Sequence, residues 1–373
     1  MTITHIGPPL LPILYTLGGA TERRIRELAT RQTQTGSRVI VYSAEDRAGV
    51  VQYGDVEVRA IVCRQSGLAR AAEFLYKSLR DVRSVKPDVI HFHSLAEGAA
   101  AARVFASGLD AKTVLSFDFF EFRRGKQNPF FPWYRRALGK FSSLLPVSSY
   151  CHRESARYWS IPEQRMQVVY NGVSLQQFYP DAAAAATRRA ALGLSDEFVV
   201  LYVGRVCRQK GTDLLMDACT KLRGEGRRIR LAIAGPLAQF GQEGDNGFAS
   251  LLERHEVIYL GAVDEAVLPS VYNMADVFVM PTRAHEMFGM AAIEAQACGK
   301  PVVCSNHGGL PEVISESSGL LFQPGDSNDL AEKLRALMDD RKMARRFSGA
   351  ATDNAQRFAW ESITNDLYRV YQS

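Results

Sequence analysis

The residues with the clearest chemical potential lie in the stretch His285 to Gly299, which reads HEMFGMAAIEAQACG. It carries two carboxylates, Glu286 and Glu294, with seven residues between them. Alanine, methionine, glutamate and glutamine favour a helix, and glycine followed two residues later by proline stops one. We therefore predict a helix that begins near Gly289 and ends near Cys298.

A strand should precede this helix, because the segment ADVFVMPT is a continuous apolar run of strand length. Glu286 then lies in the loop at the carboxyl end of the strand, where ligands bind in open α/β sheets. The backbone N–H groups of Phe288, Gly289 and Met290 lie at the helix N-terminus, which favours a bound phosphate. Gly289 has no side chain, so the phosphate can approach its backbone closely.

Three further segments contain residue patterns typical of strand ends, helix starts and turns. FVVLYVGRVCRQKG predicts an apolar strand that ends at Gly204-Arg205, with a helix after Lys210-Gly211. SNHGGLPEVISESSGLLFQPGD contains glycines that shape a loop, and MQVVYNGVSLQQFYP places Asn171-Gly172 in a tight turn.

Together these motifs resemble the signature of the retaining glycosyltransferases of family 4, or glycosyl transferases group 1, which have the GT-B fold. The resemblance extends over nearly the whole chain and is most specific from Val200 to Asp326. It implies that Glu286 contacts the donor sugar and that Glu294 binds the ribose of the sugar nucleotide. It also implies that Arg205 and Lys210 hold the donor diphosphate, since fixed cations stabilise the charge on a leaving nucleotide.

The resemblance thus makes Glu286, Arg205 and Lys210 the candidate catalytic residues, and Glu294 a donor-binding residue. The other candidate donor contacts lie mainly in glycine-containing loops. They are Gly18, Gly19, Gly235, Val263, Phe288, Gly289 and Met290.

The acceptor-side candidates are His93, Phe117 and Asp118. His91 and His93 share one face of the strand DVIHFHS because side chains alternate along a strand. A metal site would need further ligands, and none is evident nearby, so a structural role is favoured for both. Phe117-Asp118 stands where many relatives carry a His-Asp pair. Since phenylalanine donates no hydrogen bond, we predict a donor sugar whose outer edge is less polar than that of glucose, unless Asp118 takes over the contact.

The segment from Phe119 to Lys140 alternates aromatic and basic residues, with Glu121 as its only acid. One interpretation is a surface for an anionic or lipid-linked acceptor, or a contact with a membrane interface. The favoured interpretation is a helix whose aromatic residues pack in the core while its basic residues face water.

At 373 residues the chain fits two α/β domains of ordinary size. Its net charge of +5 is mild and does not indicate a nucleic-acid partner. The six cysteines form no C-x-x-C pair, which predicts buried thiols in a reducing cytoplasm. The N-terminal segment, with three prolines and no basic region, predicts neither a signal peptide nor a membrane span. We expect a cytoplasmic protein, with the inner face of the membrane as an alternative location.

We predict an α/β protein with the GT-B fold, in which two Rossmann-like, doubly wound domains face each other across a cleft. The first domain, 1–177, lies on the acceptor side, and a C-terminal helix at 356–373 packs back on it. The second domain, 178–355, binds the nucleotide sugar. Thr21 is expected to cap the first helix.

The implied reaction transfers a sugar, with retention, from a nucleotide-diphosphate sugar to an acceptor hydroxyl in glycan, glycolipid or secondary-metabolite biosynthesis. A UDP-linked donor is favoured over a GDP-linked one, and the acceptor is a sugar, a lipid-linked compound or a small molecule. The resemblance implies no cofactor and no metal, because a helix dipole, Arg205 and Lys210 stand in for a cation.

No carboxylate nucleophile is obvious, so we expect front-face attack, with the departing phosphate accepting the proton. A GT-B nucleotide-sugar epimerase and a catalytically inactive nucleotide-binding scaffold remain alternatives. Peripheral membrane contact and the oligomeric state stay open.

Overall fold

The computed structural model describes residues 1–9, 11–14, 19–93, 96–117, 131–237 and 247–373. It divides into two compact units. Unit 1 comprises Met1–Asn171 together with Trp360–Ser373, and unit 2 comprises Gly172–Ala359. Among the described residues, no helix combines the length and apolar character needed to span a membrane.

Unit 1 is built on a seven-stranded sheet with the order β3-β4-β2-β1-β5-β6-β7. All neighbours are parallel except β3, which pairs antiparallel with β4 through a two-residue turn. The strands are β1 (Thr2–Ile6), β2 (Arg38–Ala44), β3 (Gly49–Tyr53), β4 (Val56–Ile61), β5 (Val89–His93), β6 (Lys112–Phe117) and β7 (Ser143–Pro146). The helices between them are α1 (Ala20–Gln34), α2 (Gly67–Val85), α3 (Ala96–Phe105), α4 (Phe131–Leu138) and α5 (Ser149–Trp159).

Unit 2 is built on a six-stranded parallel sheet with the order β10-β9-β8-β11-β12-β13. Its strands are β8 (Phe198–Val203), β9 (Ile229–Ala234), β10 (Ile258–Tyr259), β11 (Val277–Met280), β12 (Val302–Ser305) and β13 (Gly319–Phe322). Its helices are α6 (Ala182–Ala191), α7 (Thr212–Gly224), α8 (Phe248–Arg254), α9 (Leu268–Asn273), α10 (Met290–Ala297), α11 (Leu310–Val313), α12 (Ser327–Asp339) and α13 (Arg341–Gln356). The last helix, α14 (Trp360–Gln372), belongs to unit 1.

The central strands are buried on both faces, as expected of parallel sheets covered by helices. In unit 2 the apolar core joins residues of four adjacent strands, including Leu231, Val200, Val277 and Val303. The predicted helix after the ADVFVMPT strand is confirmed as α10, and Gly289 is its N-cap.

The start of α1 differs from the prediction. The helix begins at Ala20 and its N-cap is Gly19, so Thr21 lies inside the first turn. Gly19 has a left-handed φ of 85°, and a Cβ there would lie 2.1 Å from Oε2 of Glu22. The left-handed backbone favours glycine at the capping position. The prediction of Thr21 was wrong because it assumed a polar N-cap side chain.

The register of the unit 1 sheet assembles a buried histidine cluster. His5 on β1 lies directly opposite His91 on β5, and His93 follows two residues later. His5 donates from Nε2 to Oε1 of Gln32 at 2.7 Å, so its Nδ1 accepts from Nε2 of His93 at 2.9 Å. His91 bonds through Nδ1 to the hydroxyl of Tyr371 on α14, at 2.7 Å. All three imidazoles are fully buried.

Acid should destabilise the fold through these histidines. Burial lowers the pKa of His5 from 6.5 to about 4, and it lowers the pKa values of His91 and His93 well below 6.5. The unfolded chain takes up these protons near pH 6.5 whereas the folded protein does not, so the free energy of unfolding falls as the pH drops from 6.5 towards 4. Each such histidine contributes a slope of about 1.4 kcal/mol per pH unit.

Urea unfolding at a series of pH values measures this slope. His5→Gln should reduce the slope of the unfolding free energy against pH by the contribution of one proton, whatever the variant does to stability at neutral pH. The matched control is His152→Gln, which removes an imidazole bonded at an exposed position on α5 and should leave most of the slope. A flat profile between pH 6.5 and 4 in the unaltered protein would contradict the neutral state of the cluster.

Candidate functional site

The strand order of unit 2 defines where a ligand fits. The chain runs from β8 outward to β9 and β10, then returns to β11 on the other side of β8. Ligands of open α/β sheets bind beyond the carboxyl ends of the strands at such a reversal. The loops that flank it follow β8 and β11, and they carry the motif residues at 204–211 and 281–289.

These two loops are in direct backbone contact. Gln209 accepts hydrogen bonds through its carbonyl from the N–H groups of Arg283 and Ala284, at 3.0 and 3.2 Å. Gly211 has a φ of 71°, and a Cβ there would lie 1.8 Å from the carbonyl oxygen of Pro281. A side chain at this position would push the loops apart, so glycine permits the close approach that positions Lys210.

The close approach joins Lys210 to Glu286. The Lys210 ammonium donates to Oε2 of Glu286 at 2.7 Å, and the two side chains are 23% and 20% exposed. The pair is therefore sheltered from bulk water but remains open to a ligand. A sheltered cation beside a carboxylate can bind an anion and a hydroxyl together.

A third loop holds the backbone of Glu286. Gly309 donates its N–H to the carbonyl of Glu286 at 2.7 Å. Gly308 has a φ of 65°, and a Cβ there would lie 2.4 Å from the same oxygen. The ring of His307, in this loop, contacts that of His285 at a tilt of 47°, with ring centroids 4.4 Å apart. Burial, and to a lesser extent the charge of His285, lower the pKa of His307.

The N-terminus of α10 begins immediately after Glu286. Gly289 has a φ of 108°, and a Cβ there would lie 2.6 Å from Leu310. The side chains of Phe288 and Met290 are buried, at 2% and 9% exposure. A ligand would therefore meet these two residues through their backbone, and the phosphate-binding role of their N–H groups stays a prediction.

Glu294 lies in the second turn of α10 and is only 3% exposed. Its Oε2 accepts a hydrogen bond from the hydroxyl of Tyr272 at 2.7 Å. Sequence reasoning did not single out Tyr272, because nothing in a single tyrosine of α9 signals a contact with α10. The bond fixes the orientation of the carboxylate, as a binding residue requires.

Arg205 is half-buried at the end of β8, close to Tyr202. Burial raises the pKa of Tyr202 well above its usual value; the charges of Cys207 and Glu286 raise it further, while Arg205 lowers it. Arg205 and Glu286 thus both act on one phenol, so the cation lies in the same neighbourhood as the ion pair. Gly235 follows β9 and donates to the carbonyl of Gly261 at 2.6 Å.

Val263 is half-buried two residues beyond Gly261, in the loop after β10. The predicted donor residues of unit 2 thus lie in the loops after β8, β9, β10 and β11 and in α10. Their individual roles stay predictions.

The structure does not support acceptor-side roles for two of the unit 1 candidates. The side chains of His93 and Phe117 are both 0% exposed, so neither presents a surface to a ligand. Burial favours a packing role for Phe117, and with it removes the basis for predicting a less polar donor sugar. Gly19 is the N-cap of α1, whereas Gly18 and Asp118 lie outside the described residues, as does most of the basic aromatic segment.

The histidine cluster is the one group of metal-ligand type found in the described part of the chain. The ligand atoms of His5, His91 and His93 lie within 4.8 Å of one another. However, hydrogen bonds engage both nitrogens of His5, and the nitrogens of His91 bond to Tyr371 and, at 2.8 Å, to Oγ of Ser116. Burial and, to a smaller extent, the charge of buried Arg24 lower the pKa of all three histidines. A buried cation nearby opposes a second one, which favours a hydrogen-bonded structural cluster. Sequence reasoning missed His5 because only the strand register brings it to the pair.

Comparisons with known proteins agree with the motif analysis. The profile described as Glycosyl transferases group 1 matches residues 185–354, and the profile described as Glycosyltransferase Family 4 matches residues 18–177. The chain belongs to glycosyltransferase family 4. The two matches cover most of both units.

Two curated relatives of this family 4 chain are glycosyltransferases by name. The D-inositol 3-phosphate glycosyltransferase of Streptomyces bingchenggensis is 34% identical over 231 residues, which are 58% of this chain and 50% of the relative. An uncharacterized glycosyltransferase of Methanocaldococcus jannaschii is 31% identical over 234 residues, which are 61% of this chain and 59% of the relative. The matched region thus spans only about half the length of these relatives.

Solved structures show the fold of this family 4 chain as GT-B. Sucrose-phosphate synthase of Thermosynechococcus elongatus superposes with a TM-score of 0.82 at 23% identity, covering 100% of this chain and 98% of that one. HepE of Anabaena, solved in complex with UDP, superposes with a TM-score of 0.80 at 21% identity, covering 100% of both chains.

The family 4 site should lose its geometry when Gly308 gains a side chain. Gly308→Ala places a methyl group against the Glu286 carbonyl and demands a strained left-handed backbone, so Glu286 must shift. We expect a lower melting temperature and at least a tenfold loss of affinity for the nucleoside diphosphate that the unaltered protein binds, measured by calorimetry. The matched control is Gly349→Ala in α13, where a Cβ meets nothing within 4 Å. Unchanged nucleotide affinity in Gly308→Ala would show that this loop does not shape the site.

Proposed function

We propose that this chain transfers a sugar from a nucleotide-diphosphate sugar to an acceptor hydroxyl, with retention of configuration. The observation that carries the proposal is the sheltered Lys210–Glu286 pair beside the N-terminus of α10, at the strand reversal of unit 2. A diphosphate fits the lysine and the helix N-terminus, and a sugar hydroxyl fits the carboxylate.

The leaving group sets the electrostatic demand. As the glycosidic bond breaks, negative charge builds on the departing diphosphate, and preorganised cations and N–H groups stabilise it. We assign this work to Lys210, Arg205 and the backbone N–H groups at 288–290. These groups supply the charge stabilisation for which other transferases use a divalent cation.

Glu286 has two roles in this proposal. In the free protein it neutralises Lys210, which would otherwise be a half-buried unpaired cation. With the donor bound, the diphosphate takes over the neutralisation of Lys210, and the carboxylate becomes available to accept a hydrogen bond from the sugar. Donor binding thus exchanges one partner of the lysine for another, and neither charge is left unpaired.

Retention is part of this proposal because the motifs resemble those of retaining enzymes, and the way the two site carboxylates are engaged favours one route to it over another. Glu286 pairs with Lys210, and Glu294 is buried and bonded to Tyr272. Neither arrangement suits a nucleophile that forms a covalent intermediate at the anomeric carbon. We therefore infer attack from the same face as the leaving group, in which the acceptor hydroxyl passes its proton to the departing phosphate oxygen.

For the donor we propose a UDP-linked sugar, because HepE of Anabaena has been solved with UDP and with UDP-glucose. For the acceptor we propose a polyol or glycan that carries a phosphate or another anionic group. The names of the inositol-phosphate relatives and the basic residues between 123 and 140 support this choice. Reaction in the cytoplasm, with peripheral contact at the inner face of the membrane for a lipid-linked acceptor, completes the proposal.

The exchange of partners at Lys210 gives a prediction that distinguishes the two residues. Lys210→Ala should weaken UDP binding about 10- to 100-fold, because it removes a charge-assisted hydrogen bond to the diphosphate. Glu286→Gln should bind UDP as tightly as the unaltered protein or more tightly, since the diphosphate no longer competes with a carboxylate. Both variants should slow transfer by about 100-fold or more. Calorimetry gives the affinity, and release of UDP in the presence of acceptor gives the rate.

Lys221→Ala is the matched control, because this lysine bonds to Asn328 at an exposed position on α7. It should change neither quantity. A Glu286→Gln variant that loses UDP affinity as Lys210→Ala does would contradict the exchange. In the unaltered protein, an epimerised nucleotide sugar without release of UDP would indicate an epimerase. Tight UDP binding without turnover of any donor would indicate an inactive scaffold.

The role of Glu294 has its own test. Glu294→Gln should weaken UDP and the full donor equally, because a carboxylate that binds the ribose does not sense the sugar. The loss should shrink when 2′-deoxy-UDP replaces UDP, since one of the bonded hydroxyls is then absent. Tyr272→Phe leaves the charge and removes only the orienting bond, so its effect should be smaller. Equal losses with both nucleotides would place Glu294 away from the 2′-hydroxyl.

A further inference from the structure

The helices α2, α3 and α4 cover one face of the unit 1 sheet. They lead from β4 to β5, from β5 to β6 and from β6 to β7, so all three cross the sheet in the same direction. Crossovers between parallel strands are right-handed, which places helices that cross in one direction on one face. α3 also packs against both α2 and α4. The outward side of these three helices, which we call the helix layer, therefore forms a single surface.

Hydrogen bonds join the C-terminal ends of the three helices. Arg83 on α2 donates from Nη2 to the carbonyl of Phe105 at the end of α3, at 3.4 Å. Arg103 on α3 donates from Nε to the carbonyl of Lys140, just after α4, at 3.1 Å. A guanidinium has five N–H donors, and each of these two arginines uses one of them on the described residues. The other donors remain available to an anionic ligand.

The first turn of α4 directs an aromatic side chain outward. Phe131 stacks on Trp159, with ring centroids 5.1 Å apart and ring planes at 7°, so it packs inward as expected. Trp133, two residues later, is 44% exposed, contrary to the expectation that the aromatic residues of this segment pack in the core. An indole ring is amphipathic and is enriched where an apolar phase meets water.

Other large apolar side chains share the helix layer with Trp133. Tyr76 on α2 is 58% exposed, and the adjoining Val104 and Phe105 on α3 are 39% and 50% exposed. Val104 and Phe105 lie at the junction of the helix ends that the arginines join. Single exposed apolar residues are ordinary, whereas several on one surface mark an interaction site.

The charged residues of the helix layer are mainly basic. α4 contains no Asp, Glu, Asn or Gln, and α3 contains only Glu97, near its start. On α2 the acidic residues Glu73 and Asp81 are paired with Lys77 and Arg59. In the described part of the chain, six basic residues in the C-terminal halves of these helices and just beyond α4 form no ion pair. They are Arg80, Arg83, Arg103, Arg135, Arg136 and Lys140.

This composition favours a lipid surface over other anionic partners. A sugar is bound through its hydroxyls, which need side-chain acceptors as well as donors, and acceptors are scarce on α3 and α4. A nucleic acid stacks its bases on aromatic rings, a contact that the aliphatic Val104 cannot make. Anionic lipids fit both features, since basic side chains bind their phosphates and apolar side chains enter the boundary with the acyl chains.

We propose that the helix layer binds the surface of a membrane that contains anionic lipids. Trp133, Val104 and Phe105 enter the boundary between the head groups and the acyl chains, and the six basic residues bind lipid phosphates around them. This contact rests on the peripheral location in the proposed function, and it adds to that location a surface and a class of lipid.

Tryptophan fluorescence follows this contact directly. The chain has three tryptophans, and Trp159 and Trp360 are only 2% and 1% exposed, so Trp133 responds most to a change of surroundings. Vesicles of phosphatidylcholine with added phosphatidylglycerol should shift its emission to shorter wavelength, and bromine on the acyl chains should quench it. Vesicles of phosphatidylcholine alone should do neither. Trp133→Phe should still co-sediment with the anionic vesicles but lose the quenching.

Two pairs of variants locate the surface. Arg136→Glu should weaken binding to the anionic vesicles by a factor of about five or more, the contribution of one basic residue near an anionic surface. Its matched control is Arg346→Glu on α13, whose exposed face carries basic residues but no exposed large apolar side chain. Phe105→Glu should also weaken binding, whereas Tyr179→Glu in unit 2, at the same exposure of 50%, should not.

Failure to bind the anionic vesicles overturns the proposal, as does binding that neither Arg136→Glu nor Phe105→Glu weakens. If the chain instead binds heparin or a single-stranded oligonucleotide through Arg136 and does not bind the vesicles, the partner is an anionic polymer. These measurements contain no donor and no acceptor, so their failure is distinguishable from failure of the proposed transfer. UDP affinity should be unchanged in Arg136→Glu and Phe105→Glu, since the proposed diphosphate and ribose contacts lie in unit 2.

Discussion

The ion pair between Lys210 and Glu286 is the interaction on which the architecture of the site depends. The two residues are 76 positions apart, and they meet because β8 and β11 are neighbours at the strand reversal. At Gly211 and Gly308 the loops approach so closely that no Cβ would fit, so glycine at both positions permits the contact. Removing either charge would strand the other in a half-buried position, which costs more than the pair itself contributes. A ligand that replaces one partner with another anion avoids that cost.

The polar interior of unit 1 follows the opposite principle. Its histidines lie at the reversal between β1 and β5, where a ligand could bind, yet they are buried, neutral and bonded to one another. Tyr371 from the last helix bonds to His91, and Lys112 donates to the carbonyl of Val370 at 2.6 Å. A neutral network of this kind fixes the position of α14 against the sheet. It also makes the packing sensitive to acid.

The two sheets also differ at their edges. In unit 1 the outer antiparallel strand carries apolar residues into solvent, whereas most of the chemistry of unit 2 lies at the carboxyl ends of central strands.

Many helices, strands and motif residues could be predicted from the sequence, because the patterns that indicate them are local. Apolar runs and helix formers placed β11 and α10, and the resemblance of several motifs to those of a known family implied the donor residues. What the sequence could not show are partners chosen by strand order and register. His5 joins the histidine cluster only because β1 pairs with β5, and Tyr272 reaches Glu294 only because α9 packs beside α10. The burial of Phe117 likewise depends on tertiary packing at the end of β6, since a phenylalanine at a strand end is compatible with either a core or a site. Periodicity fixes which elements form, whereas contacts between distant residues are decided when the sheet assembles.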